Sequence, residues 1–208
     1  MSTICVFGDS IVWGAADFEA GGWVTRLFIE LGRDSKIDVY NLGISGDKTP
    51  SILERFESET KVRIEEAEDV ILVFAIGIND SYFIHSKNDF MTSPEEFRTN
   101  IQKLIEKAQK ISTKIIFVGL TPVDELKTTP IPWNTDKSYK NENVKKYNEI
   151  IKATCKEKDI HFIEVFDNWI SSDYKILLED GLHPNAAGHQ KLFEAVKNFL
   201  IKNKVIQL

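Results

Sequence analysis

Cysteine is scarce in this chain. Cys5 and Cys155 are the only two in 208 residues, and they form no C-x-x-C pair. They read as a core thiol and a helix thiol rather than a disulfide framework. No His/Cys cluster has the spacing of a zinc site. Long hydrophobic runs are missing too; the longest are strand-sized, which argues against a membrane span. Basic charge is in deficit, with 26 Lys and Arg against 32 Asp and Glu for a net charge of −6. With no long basic run, general nucleic-acid binding is disfavoured. Neither G-x-G-x-x-G nor GxxxxGK[ST] occurs, so the two common nucleotide loops are absent. Met1-Ser2-Thr3 runs straight into an apolar segment, with no charged leader or cleavage-site pattern. The expectation is a cytoplasmic protein. There is no internal repeat and no low-complexity stretch.

What is present is ordinary for a globular chain: 42% apolar and 28% charged residues. The length suits one domain, 1–208, with a sizeable core. Short runs rich in Val, Ile and Phe at 4–7, 37–41, 70–76, 114–119 and 161–164 read as buried parallel strands. Helix-period segments lie between and after them, at about 21–33, 50–59, 94–110, 139–158 and 186–201. Thr49-Pro50 and Ser93-Pro94 each place a hydroxyl before a proline, the signature of a helix start. Ser93-Pro94-Glu95-Glu96 has the spacing of a capping box. Gly32 suits a helix stop, whereas Gly188 is an interior cost in the last helix. The alternation predicts an α/β fold, with a parallel sheet covered on both faces by right-handed crossovers. Segment 120–138 is the unusual connection. It holds three of the six prolines, and it reads equally as a wall of a substrate site or a surface excursion.

Gly8-Asp9-Ser10 follows the first strand, where open α/β sheets place their ligands. Alone, it also reads as a turn with a helix cap. Far away, Asp180-Gly181-Leu182-His183 brings an acid and an imidazole within three residues. A serine hydroxyl needs a base to remove its proton during attack, and the base needs an acceptor on its other nitrogen. Ser10, His183 and Asp180 fill those roles. The oxygen of a tetrahedral intermediate needs donors, and the Ser10 N–H, the Gly46 N–H and the Asn79 side-chain amide are candidates. Other residues have blander readings. Asp9 and Asp80 brace turns; a paired-carboxylate glycosidase would leave Ser10 and His183 idle. His161 opens a buried strand, His85 is a candidate pocket residue, and His189 is a surface or packing residue of the last helix. Trp13, Tyr82, Phe83 and Trp133 flank the motif loops as candidate pocket walls. The α/β-hydrolase elbow G-x-S-x-G is not met, because position 12 is Val12.

Four blocks carry a family resemblance: Gly8-Asp9-Ser10-Ile11, Asn41-Leu42-Gly43-Ile44-Ser45-Gly46-Asp47, Gly77-Ile78-Asn79-Asp80, and Asp180-Gly181-Leu182-His183-Pro184-Asn185. In order and spacing the chain resembles the GDSL family of serine esterases and lipases, in its SGNH hydrolase branch. Ile11 stands where the name-giving leucine falls. The resemblance implies a flavodoxin-like three-layer α/β/α fold with a five-stranded parallel sheet, no metal and no cofactor. It implies Ser10 as nucleophile, His183 as base, Asp180 as its partner, and an oxyanion hole from Ser10, Gly46 and Asn79. Gly43 shares the second block and is the runner-up for Gly46. The implied activity is hydrolysis of small-molecule carboxylic esters: short acyl, lysophospholipid or thioester-like. Alternatives are a carbohydrate O-acetylesterase and, from another class, a non-catalytic flavodoxin-like binding module. No nucleic-acid partner and no stable membrane insertion are expected.

Overall fold

In the computed structural model, which describes residues 2–32 and 37–206, the chain alternates strands and helices. In order these are β1 (Ser2–Gly8), α1 (Ser10–Trp13), α2 (Trp23–Gly32), β2 (Ile37–Gly43), α3 (Thr49–Lys61) and β3 (Asp69–Ala75). Then come β4 (Phe83–Ile84), β5 (Asp89–Phe90), α4 (Pro94–Gln109), β6 (Lys114–Val118), α5 (Glu125–Thr128) and β7 (Lys137–Ser138). The chain closes with α6 (Asn141–Glu157), β8 (His161–Ile163), α7 (Phe166–Ile170) and α8 (Ala186–Lys202). The end of the expected helix 21–33 falls at Arg33, outside the described residues.

The main sheet has five parallel strands in the order β2-β1-β3-β6-β8. The order reverses direction at β1, and right-handed crossovers on the two sides of such a switch put their helices on opposite faces. Accordingly α2 packs against α8, while α4 packs against both α3 and α6. This is the expected three-layer fold. A small antiparallel sheet, β5-β4-β7, was not foreseen.

Burial explains the strand pattern. Residues 4–8 of β1 and Ile71–Phe74 of β3 are fully or nearly fully buried, as strands covered on both faces require. Phe7, Phe74 and Phe117 lie in register on adjacent strands. Their rings stack at 5.7 and 5.0 Å, and Phe56 of α3 meets Phe7 edge-on at 5.2 Å. This aromatic row lies one residue before the strand ends, a rigid floor for whatever sits above.

The helix starts divide. Ser93 Oγ accepts from Glu96 N at 3.2 Å and caps α4, as expected. Thr49 does not cap. It is the first residue of α3, and its hydroxyl donates instead to Asp80 at 2.7 Å. Gly188 is explained by a close approach: a Cβ there would stand 2.4 Å from Leu177 O. Among the described residues, no helix is long and apolar enough to cross a membrane.

Candidate active site

The chain leaves β1 at Gly8, whose position admits no side chain, since a Cβ would lie 2.3 Å from both Ala75 O and Val12 Cγ2. Asp9 then caps α1, its Oδ1 accepting from Ile11 N at 2.9 Å. Ser10 thus occupies the first turn of a one-turn helix, at a strand-to-helix junction. A first-turn N–H has no intrahelical acceptor. The helix ends at Gly14 (φ +104°), whose N–H returns to Ser10 O.

At the other end of the chain, residues 178–185 form a tight loop closed by Glu179 N donating to His183 O at 2.9 Å. Asp180 Oδ1 accepts from the backbone N–H groups of Leu182 (2.9 Å) and His183 (2.8 Å), which wraps the turn around the carboxylate. Its Oδ2 meets His183 Nδ1 at 2.7 Å. His183 Nε2 stands 3.0 Å from Ser10 Oγ. Residues 173 apart in sequence are therefore in hydrogen-bond contact.

Burial by itself would raise the Asp180 carboxyl. The hydrogen bonds from the His183 ring and backbone, and that from Leu182, outweigh it and hold the group down at about 2. An ionised carboxylate only accepts, so Nδ1 of His183 carries the proton and donates. In the neutral ring Nε2 then keeps its lone pair, and the Ser10 hydroxyl donates to it. Chemically, an array of hydroxyl, imidazole and carboxylate in this order can pass a proton from the hydroxyl to the ring and balance the charge that results.

The two middle blocks are bonded to each other beyond the ends of β2 and β3. Asn79 follows β3, is buried, and its Nδ2 donates to Asp47 O at 3.1 Å. Asp47 is held in turn by Arg55, whose guanidinium also donates to Leu42 O at 2.6 Å. The two glycines of the second block differ. Gly43 N–H donates to Asn41 Oδ1 at 3.0 Å, and a Cβ there would stand 2.2 Å from Trp13 N. Gly46 has φ +85°, open space around its missing Cβ, and an amide with no hydrogen bond to another described residue. Asp9 and Asp80 brace backbone, as expected. Asp80, though, reaches across to the start of α3, accepting from Thr49 N at 3.1 Å and from its hydroxyl. Burial raises both carboxyls, that of Asp9 to about 7.

The remaining histidines lie outside the array. His161 is exposed at the start of β8, not buried, and meets Phe199 edge-on. His189 is fully buried and pins α8 to the segment after α1, accepting from Trp23 N and reaching Ala15 O at 3.0 Å. His85 bonds Ser138 Oγ at 2.7 Å beside Phe83 and Phe90. Trp13 and Trp133 are more than half exposed, while Tyr82 is buried and edge-packed on Tyr139. Two contributors escaped the sequence reading. Arg55 had no local signal. Tyr139, whose hydroxyl donates to Asn79 Oδ1 at 2.9 Å, lay at the edge of a predicted helix. Among the described residues no group of His, Cys, Asp and Glu could hold a metal ion.

A parallel α/β sheet with a serine–histidine–aspartate chain of hydrogen bonds beyond its strand ends defines a hydrolase class. Within that class, the chain belongs to the GDSL-like Lipase/Acylhydrolase family, which matches residues 6–191. It is a carboxylic ester hydrolase. A human isoamyl acetate-hydrolyzing esterase 1 homolog is 27% identical over 222 residues, spanning 99% of this chain and 83% of its own. A lipase/acylhydrolase from Enterococcus faecalis has the same fold, with TM-score 0.73 and 23% identity over 98% of this chain and 97% of that one. The acetylxylan esterase Axe2 from Geobacillus stearothermophilus also shares it, with TM-score 0.69 and 20% identity over 96% and 92%.

Proposed function

We propose that the chain hydrolyses esters of short carboxylic acids through an acyl-enzyme on Ser10. The observation that carries the reading is the continuous hydrogen-bond line from Ser10 through His183 to Asp180. Ser10 Oγ attacks the ester carbonyl as His183 Nε2 takes its proton, and the imidazolium that forms is balanced by Asp180. The carbonyl π electrons move to oxygen, where the N–H groups of Ser10 and Gly46 and one Asn79 N–H receive the charge. Collapse expels the alcohol, which takes the proton from His183. Water then enters, gives a proton to the same nitrogen and releases the acid by the reverse sequence.

Gly46 rather than Gly43 is the backbone donor in this reading, because the Gly43 amide is already engaged with Asn41. A short acyl group is favoured by the small, mainly apolar cavity of about 20 Å³ bordered by Asp9, Ile11, Ile78 and Leu120. Asp9 and Ile11 are the chain neighbours of Ser10 and Ile78 is that of Asn79, while Trp23, Val118 and Leu192 close the cavity on its inner side. A space of this size admits a group the size of a water or a methyl. A second reading, a carbohydrate O-acetyl ester as substrate, draws on the exposed ring of Trp13, one helical turn from Ser10, as a platform for a sugar.

The test is a p-nitrophenyl ester series from acetate to dodecanoate, run beside acetylated xylo-oligosaccharides, on wild type and Ser10→Ala. The expected result is an optimum at two to four acyl carbons, with loss of at least about 10³-fold in kcat for Ser10→Ala. An optimum at eight or more carbons overturns the short-acyl assignment. Undiminished activity in Ser10→Ala, or failure of a serine-directed phosphonate to label Ser10, overturns the nucleophile.

A further inference from the structure

Tyr139 does work at this site that the four motif blocks do not include. It stands just after β7, at the end of the proline-rich connection, and its side chain is buried. Three backbone bonds fix its main chain. Tyr139 N donates to Thr128 O at 2.9 Å, while Tyr139 O accepts from the hydroxyls of Thr128 (3.0 Å) and Thr129 (2.8 Å). The ring packs edge-on against Tyr82 at 5.5 Å. Backbone and ring together aim the phenol at one atom, Asn79 Oδ1, 2.9 Å away.

A side-chain amide has two orientations that differ by exchange of N and O. At Asn79, Asp47 O demands a donor and therefore selects Nδ2 on its side. The Tyr139 hydroxyl sits on the opposite edge and supplies the donor that Oδ1 needs. In the flipped state the amide oxygen would face the Asp47 carbonyl, two acceptors in a buried site, which is costly. With one N–H of Nδ2 used on Asp47, the second has no acceptor among the described residues.

We propose that Tyr139 is a positioning residue for the hydrolysis: its phenol locks the Asn79 amide so that the second N–H faces the substrate's carbonyl oxygen. The assignment rests on the reading of Asn79 as an oxyanion donor. The phenol is well suited to the task. Burial, with Tyr82 and the nearby charges of Asp9 and Asp180, raises its pKa far above the usual tyrosine value, so it stays protonated and remains a donor. The lock also gives the connection from residue 120 to residue 138 a purpose. Its far end delivers a side chain to the reaction centre, while its near end meets the acid–base loop through Asp124 N donating to Gly181 O at 2.8 Å.

The experiment is a double-mutant cycle of Tyr139→Phe and Asn79→Ala with p-nitrophenyl acetate, each kcat normalised to the fraction of sites titrated by a serine-directed phosphonate. That normalisation removes any unfolded fraction, and Phe preserves the packing on Tyr82. Asn79→Ala is expected to lower kcat about 10²- to 10³-fold. Tyr139→Phe is expected to lower it about tenfold with KM within twofold, and to have less than a twofold effect in the Asn79→Ala background. An unchanged kcat in Tyr139→Phe, a loss carried by KM, or equal losses in both backgrounds overturns the positioning role while leaving Asn79 in place. A wild-type kcat in Asn79→Ala overturns the oxyanion reading itself, and the role of Tyr139 with it.

Discussion

Replacing each glycine of the second block by alanine separates a packing role from a chemical one. A Cβ at Gly43 would meet Trp13 N at 2.2 Å, Val12 C at 2.7 Å and Trp13 Cα at 2.8 Å. All three are backbone atoms of α1, so no rotamer change relieves them; α1 must move off β2. Overpacking of this kind costs about 1–3 kcal/mol, and contacts this short against backbone put Gly43→Ala near the upper end, about 3 kcal/mol. At Gly46 nothing lies within 4 Å of the added carbon, and the cost is the left-handed φ of +85°. That strain is about 1–2 kcal/mol for a residue with a Cβ. Urea unfolding should therefore show Gly43→Ala as the more damaged protein. If the Gly46 N–H is the oxyanion donor proposed above, steady-state kinetics at concentrations where both are folded should show the opposite emphasis: Gly46→Ala loses kcat about tenfold or more, because relief of the strain re-aims that N–H. Gly43→Ala melting within 0.5 kcal/mol of wild type would refute the close-approach argument. Gly46→Ala with wild-type kcat would return the oxyanion role to Gly43.

Asp9 and the cysteines give two further expectations. Asp9 is buried and its carboxyl rises from 3.8 to about 7. Between those values the native chain holds a proton that the unfolded chain has released, so stability falls as pH rises, by up to about 4 kcal/mol above pH 7. Asp9→Asn keeps an oxygen for Ile11 N–H and removes the charge. Its stability relative to wild type should climb from pH 4 to pH 7.5 and then level, and a gap that does not vary with pH in urea titrations would refute the burial argument. Cys5 and Cys155 are buried and their thiols are pushed up to about 12. Neither should react with Ellman's reagent in the native protein at pH 8, and full reaction should follow in denaturant; a stoichiometric native reaction would contradict that burial.

How much of this was legible in the sequence depended on the range of the interaction. β1, β3 and β6 were plain, because strands buried on both faces read as unbroken apolar runs. α1 was not, because four residues carry no periodicity, and its existence rests on the Asp9 cap and the glycine at position 14. The two-residue strands β4, β5 and β7 were invisible for the same reason. Thr49 shows a local rule losing to a distant partner. Its hydroxyl had the sequence context of a cap, yet Asp80, 31 residues on, offers a buried carboxyl oxygen that accepts its hydrogen instead.

Ser10, Asn79 and the second-block glycines were findable because a parallel sheet gathers the carboxyl ends of its strands on one edge, so residues after β1, β2 and β3 must share a crevice. That rule covers whatever follows a strand directly. It does not reach Tyr139, which approaches the same crevice from the far end of a long connection and enters through bonds to Thr128 and Thr129. The strand-end rule thus accounts for the placement of these residues, but it leaves the Asn79 amide free to present either edge. Two bonds remove that freedom, one from a loop of the sheet's own making and one from the connection. An amide satisfied on Asp47 alone would still lack a donor for its oxygen, and a buried acceptor without one is costly. The orientation of the Asn79 amide therefore follows from hydrogen-bond accounting over the whole crevice.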